Sequence, residues 1–404
     1  MSNRVRALLI TTSCVVVFYV VLGGLLGKND TSSEKTYRNL GVYSEVLSRI
    51  KSDYVTEPDL KKVTGGAIRG LLEALDPYST YFTPREYQEY LKQPEAGPAS
   101  VGIFLAKRLG FATVVSVLPG SPAEKADVKP GDLIDRVENS ATRELSVIQI
   151  QRLLAGPPGS TVTLTLVREA RGEPQKVDIV RAVLGDSLVV AKMADENAGY
   201  IRVASFNKGK AAEIAAKLKE LIAAGADKVV LDLRNCAGGE TEEAVETASL
   251  FLDKGLVGYL QGQRYPRQDL NVKPSSEVCK LPLVVMINQS TAGPAELVAS
   301  AIQGNKRGEV VGVRSFGVGV YQKLIAMDDG SALLLSVAKY YGPDGKSIQD
   351  NGVTPNVIET PSGDTGAVDD EDDESPEPEH FGDKDDQQLR KAIEILMRKS
   401  PKAA

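Results

Sequence analysis

Apolar residues fall along the chain in three successive rhythms. From residue 36 to 92 they recur at three and four, as in YSEVLSRIKSDYV and GAIRGLLEALD, which places them on one face of a helix. DPYSTYFTPREYQEYL then supplies turn residues and another short helix. From about Val101 to Val183 the runs shorten to strand length (VGIFLA, ATVVSVL, DLIDRV, TVTLTLV, KVDIVRAV), interrupted by two short helical stretches, SPAEKA and SVIQIQRLLAG. Ser146 is placed to N-cap the second of these. From Asp186 to about Glu359, buried-strand runs (YIRVASF, KVVLDLR, LPLVVMI, EVVGVRS) alternate with helical ones (GKAAEIAAKLKELIAAG, TEEAVETASLFL, AELVASAIQG), which predicts an α/β core. An acidic stretch rich in Ser, Pro and Gly follows over 361–384, and an amphipathic helix closes the chain over 385–400.

The N-terminus adds a compartment. Arg4 and Arg6 precede 21 uncharged residues, Ala7 to Gly27, long enough as a helix to span a hydrocarbon core of about 30 Å. The expectation is a transmembrane signal anchor over 7–27, with residues 1–6 on the cytoplasmic side and the body in the periplasm or extracytoplasmic space. A cleaved signal peptide fits less well because no small-x-small site closes the run. Lipidation at Cys14 fits less well again, because the apolar run continues past it.

Composition narrows the classes. With 404 residues and 42% hydrophobic content the chain can bury full cores, in two or three domains. Between Asp364 and Asp386 lie twelve acidic residues against Lys384 alone, or −11, which leaves +5 for the rest of a chain whose total is −6. The acidity therefore belongs to one solvated linker, and no basic block points to nucleic acid. Cys14, Cys236 and Cys279 show no metal-ligand spacing, and CAGG lacks the lysine and spacing of a nucleotide loop, so neither metal nor cofactor is expected. Pairing of Cys236 with Cys279 stays open.

GSPAEKADVKPGDLI, with the upstream SVGIFL and the downstream LSVIQIQRLLAG, resembles a PDZ domain of the permuted kind found in exported proteases (99–184). That resemblance implies that the turn Ser100, Val101, Gly102, Ile103 offers backbone N–H groups to a terminal carboxylate. The strand from Ile103 would then pair with the incoming peptide. LDLRNCAGGETEEAVETASLFL, GYIRVASF, SFGVGVYQ and AKYYGPDGKSIQDNGVTPNV, behind the helical region (36–98), resemble the carboxy-terminal processing serine peptidases, or tail-specific proteases, across residues 36 to 360. The implied architecture is an α/β peptidase core (185–360) carrying the inserted PDZ domain. The implied chemistry is a Ser and Lys dyad with a glutamine orienting the lysine, in which burial lets the lysine lose its proton.

The chain departs from that chemistry at its centre. With Asn288 and Glu296 set on the ends of the family's nucleophile turn, the serine position is Gly293, and the lysine position twenty-five residues on is Val318, inside FGVG. Gln322 keeps the place of the orienting glutamine. The family's anion hole takes one N–H from the glycine turn, matched by Gly238 and Gly239, and one from the residue after the serine. That residue is Pro294, which has no N–H. Loss of one such donor costs about 2.7 to 4 kcal/mol of transition-state stabilisation.

The expected function is therefore that of a pseudo-peptidase. It would bind exported polypeptides, their C-termini through the PDZ domain, or regulate a protease partner without cutting, as a homo-oligomer or beside an active homologue. The alternative is an active serine-type endopeptidase with a displaced dyad drawn from Ser290, Thr291, Lys323 and Lys306. Lys323 adjoins Gln322, and neighbours on a strand face opposite ways. A triad would need His380, the single histidine, which sits in the acidic stretch. Cys236 lacks a histidine to activate it.

Overall fold

The computed structural model describes residues 31–92, 99–108, 110–168, 173–185, 189–360 and 381–399. The expected span Ala7–Gly27, Cys14 and His380 lie outside them. Among the described residues no helix is long and apolar enough to cross a membrane. The chain divides into two units, Met1–Ala67 and Ile68–Ala404.

The first unit contains α1 (Thr31–Asp53) and the opening of α2 (Leu60–Glu73). The helical spacing is realised, and Leu40 and Val46 are left more than half exposed.

The second unit begins with the rest of α2, β1 (Thr80–Phe82) and α3 (Pro84–Leu91). Thr83 and Glu86 start α3 with a reciprocal capping box. The insert follows as β2 (Ile103–Arg108), β3 (Phe111–Val117), α4 (Pro122–Lys125), β4 (Leu133–Val137), β5 (Ser140–Ala141), α5 (Val147–Leu154), β6 (Thr161–Val167) and β7 (Gln175–Val180). Its sheet runs β2-β3-β4-β6-β7, so β2 is an edge strand. Ser146 N-caps α5 as the pattern predicts, in a capping box with Gln149. The insert has its own core, with Leu105, Ile134, Ile150, Val162, Leu164 and Leu166 buried together.

The α/β region runs β8 (Val190–Met193), β9 (Ala198–Arg202), α6 (Lys210–Ala223), β10 (Lys228–Asp232), α7 (Thr241–Ser249), β11 (Leu256–Gln261), β12 (Gln268–Asn271), β13 (Leu283–Ile287), α8 (Pro294–Gly304), β14 (Glu309–Gly312), β15 (Val320–Ala326), β16 (Ala332–Tyr341) and β17 (Val357–Ile358). Six of these strands form one sheet in the order β17-β14-β13-β10-β9-β8, parallel except at β8. Strands β10 and β13 are buried at every residue, as central strands covered on both faces must be. Helices α6, α7 and α8 cover one face through residues such as Leu218, Ala248 and Val298. A second sheet joins β1, β16, β11 and β12, with β15 also on β16.

The other face of the six-stranded sheet is covered by α9 (Gln387–Lys399), through Leu389, Ala392, Ile393 and Leu396. Phe381, ahead of the helix, also contacts the core. The Phe381 ring lies under the guanidinium groups of Arg202 and Arg234, at 4.2 and 4.7 Å. Asp386 pairs with Arg234 at 2.6 Å, and Arg234 is also held by Asp232 at 2.6 Å. Asp386 accepts the N–H of Leu389, which caps the helix. The Arg234 guanidinium beside Asp386 holds that carboxyl below its ordinary value against the opposing effect of burial.

Candidate functional site

Parallel α/β sheets bind ligands at the C-terminal ends of their strands, and the predicted site residues gather there. The loop after β10 turns through Cys236–Gly239 and the loop after β13 through Asn288–Pro294. They run side by side, bridged at Ala237 and Ala292. Asn288 ties them. Its Oδ1 accepts from the Asn235 N–H at 3.0 Å, and its Nδ2 donates to Asn235 Oδ1 at 2.7 Å. Gly238 and Gly239 have positive φ, and a Cβ on Gly239 would stand 2.2 Å from the Phe206 backbone. The glycine turn therefore needs glycine for space as well as conformation.

Gly293 differs. It adopts φ 66° and ψ −123°, the strained setting in which a turn before a helix presents a side chain, yet a Cβ there would meet nothing within 4 Å. Pro294 starts α8 with its fixed φ. The Gly293 N–H points inward, to Glu296 Oε2 at 2.8 Å. Val318 also gives its N–H to Glu296, while its side chain packs against the core of the insert. Gln322 Nε2 donates to the Tyr78 carbonyl at 2.9 Å. Gly238, Gly239, Gly293, Pro294, Val318 and Gln322 all line one cavity of about 360 Å³, so the positions singled out from the sequence converge there.

The insert supplies the opposite wall. Phe104 and Leu105 of β2 and Val147, Ile148 and Gln151 of α5 line the same cavity, so the groove between β2 and α5 opens onto the Gly238 and Gly293 turns. The Phe104 ring covers Gly238, where a Cβ would approach it to 3.2 Å. Ser116 Oγ donates to the Asn235 carbonyl at 2.6 Å, and Arg108 reaches the Phe316 carbonyl at 3.3 Å. At the mouth of the groove, Ser100 and Ala182 exchange hydrogen bonds. Gly102 has φ +84°, and a Cβ there would collide with Ser121 at 2.3 Å. The carbonyls of Val101 and Gly102 accept from Ala123 and Leu118, whereas among the described residues no hydrogen bond takes up the N–H of either. Ile103 opens β2, on the free edge of the sheet.

The residues weighed as stand-ins lie elsewhere. Thr291 is fully buried, and its hydroxyl donates to the Leu233 carbonyl at 2.7 Å while accepting from the Asn288 N–H. Ser290 is also buried. None of Ser290, Thr291, Lys306 and Lys323 lines the cavity. Cys236 and Cys279 are both free and buried, and burial pushes the Cys236 thiol up, away from a reactive thiolate. Among the described residues no His, Cys, Asp and Glu cluster could hold a metal ion.

Sequence reasoning used Glu296 only to set the register of the nucleophile turn and missed what it does. It is fully buried and collects four donors. Its Oε1 accepts from Ser315 Oγ at 2.6 Å and the Gly317 N–H at 2.7 Å, and its Oε2 accepts from Gly293 at 2.8 Å and Val318 at 2.9 Å. Burial pushes its carboxyl up to about 7, while the donors pull it back. The signal present in the sequence was a Glu at the third position of a helix, where a carboxylate turns back onto the N-terminal N–H groups. Tyr78 was also missed. It lines the cavity, and burial pushes its hydroxyl up to about 12.

Comparison with known proteins gives two family matches, Peptidase family S41 over residues 197–358 and PDZ domain over residues 113–168. The chain is similar to the carboxy-terminal processing protease CtpA of Bacillus subtilis, 31% identical over 353 residues, covering 86% of this chain and 74% of that protein. It is 30% identical over 334 residues to a carboxy-terminal-processing protease of Bartonella bacilliformis, covering 81% and 76%. Among solved structures it is similar to a photosystem II D1 C-terminal processing protease, with a TM-score of 0.67 and 27% identity over 79% of this chain and 92% of that one.

Proposed function

The chain belongs to the carboxy-terminal processing protease family, with an α/β core and a PDZ domain, and from that premise we propose that it is a pseudo-peptidase. It binds exported polypeptides without cleaving them. One observation carries the reading: the cavity where the family's chemistry belongs is lined by Gly293 without a side chain, Pro294 without an N–H, and the apolar Val318. Amide hydrolysis needs an attacking group, a proton acceptor and an anion cradle. Each is lost at its own position.

What survives suits holding a peptide. A terminal carboxylate would be taken by the N–H groups of Val101 and Gly102, and an extended segment would add to the edge of β2 and lie over the cavity. Backbone pairing of this kind requires no nucleophile. We place the body outside the cytoplasm on the strength of the Ala7–Gly27 run. Its partners are exported polypeptides with free C-termini, or an active relative that it regulates.

The test is incubation of the purified chain with an unstructured polypeptide ending in apolar residues, beside the triple variant Gly293→Ser, Pro294→Ala, Val318→Lys. No turnover is expected from the natural chain, and the peptide should bind it with loss of affinity on blocking the peptide C-terminus. Cleavage by the natural chain that disappears in Ser290→Ala or Thr291→Ala would overturn the proposal.

A further inference from the structure

We propose that Glu296 is the positioning residue of the cleft, a proton-dependent latch that holds the Gly293 turn to the Ser315–Val318 turn. The proposal deepens the binding reading by naming what sets the shape of the cavity once the catalytic groups are gone. Val318 stands 25 residues after Gly293, and the two turns share no strand pairing, though one backbone hydrogen bond joins them, from the Phe316 N–H to the Thr291 carbonyl at 3.0 Å. Beside that single bond, one carboxylate accepts an N–H from the first turn and two N–H groups and a hydroxyl from the second. Ser315 extends the junction, because its hydroxyl also accepts the Val353 N–H at 2.6 Å. Removing the carboxylate would leave three backbone N–H groups unpaired beside the cavity, so the side chain acts on the cleft through the turns and not by touching a ligand.

The surroundings make this junction sensitive to protons. Glu296 is the single ionisable group on α8. Facing it is the Tyr78 hydroxyl, from the segment before β1, which also stands near the carboxylates of Asp350 and Asp76. The nearby cations are spent on carbonyls: Arg314 on Asp350 and Asn351, and Arg108 of the insert on Phe316. Burial, with no ion pair to Glu296 among the described residues, favours its protonated form against the pull of the four donors. Opening the junction to water would return Glu296 to ordinary carboxyl behaviour. The closed junction therefore binds a proton more tightly than the open one, and it must loosen as pH rises through neutrality.

The test is amide hydrogen exchange of the full chain between pH 5.5 and 8.5, corrected for intrinsic exchange, read at residues 315–320 and at 228–232 of β10. It needs no peptide, so its outcome is separate from that of the binding experiment. Protection at 315–320 is expected to fall with rising pH, by at most about tenfold per pH unit for one proton. In Glu296→Gln it should show no pH dependence. Ser315→Ala keeps the carboxyl but removes a donor that favours ionisation, so it should move the transition to higher pH, and it covers the case in which the Gln variant does not fold. Three results would overturn the latch: no pH dependence in the natural chain, the same dependence in Glu296→Gln, or a loss of protection at 228–232 with none at 315–320.

Discussion

The glycine turn Cys236–Gly239 and the turn Asn288–Pro294 lie against each other, joined by Asn288 and the Ala237–Ala292 bridge. They are constrained in opposite ways. Gly239 is a glycine because the Phe206 backbone stands where its Cβ would be, and Gly238 lies under the Phe104 ring. Gly293 has open space where a side chain would project. One turn needs its glycines for shape, while the other keeps a presenting shape with nothing to present. The backbone requirements of a cleft and the side-chain requirements of its chemistry are therefore separable: the first are enforced by packing throughout the fold, the second by a few atoms that packing does not need.

The strongest attack on this contrast is Gly239→Ala. Forcing a Cβ to 2.2 Å from backbone at φ +106° is expected to cost about 3 kcal/mol or more, seen as a lower denaturant midpoint. If Gly239→Ala is as stable as the natural chain, the glycine turn is not the constrained partner. Next comes the pH dependence of global stability. Glu296 ionises less readily folded than unfolded, so the folded state holds an extra proton between about pH 4.5 and about 7. Its contribution is fully present below that window and is lost as pH rises through it, by an amount on the order of 3 kcal/mol. Urea midpoints measured across pH should show this fall in the natural chain and a smaller one in Glu296→Gln.

Gly293→Ser meets no steric barrier and bears only the backbone strain of φ 66°, about 1 to 2 kcal/mol, with no gain of peptidase activity on its own. A loss as large as that of Gly239→Ala would erase the contrast. The smallest effect is Gln322→Ala, about 1 kcal/mol from one hydrogen bond to the Tyr78 carbonyl, read as a small shift in thermal midpoint.

Much of this was legible in the sequence. The strand and helix runs of the core, the Ser146 cap and the strand-rich insert follow from local rules, because periodicity and capping report on a segment's own faces and ends. That Gly293 has no hydroxyl, Pro294 no N–H and Val318 no amine was equally plain, since each is a property of one residue. Boundaries were less so. YIRVASF reads as a strand through Phe206, but β9 ends at Arg202. The chain then leaves the sheet for the Phe206–Gly239 bridge, which an apolar run does not reveal.

Order of elements and family were thus set by the amino acids themselves, each being decided within a motif. Tertiary structure alone decided which distant groups meet. It joined Arg234 to Asp386, 152 residues away, made β2 of the insert the far wall of the cleft, and gathered four donors on Glu296. A sequence pattern records how far a residue is buried, whereas a buried charge takes its proton affinity from the partners that folding brings to it.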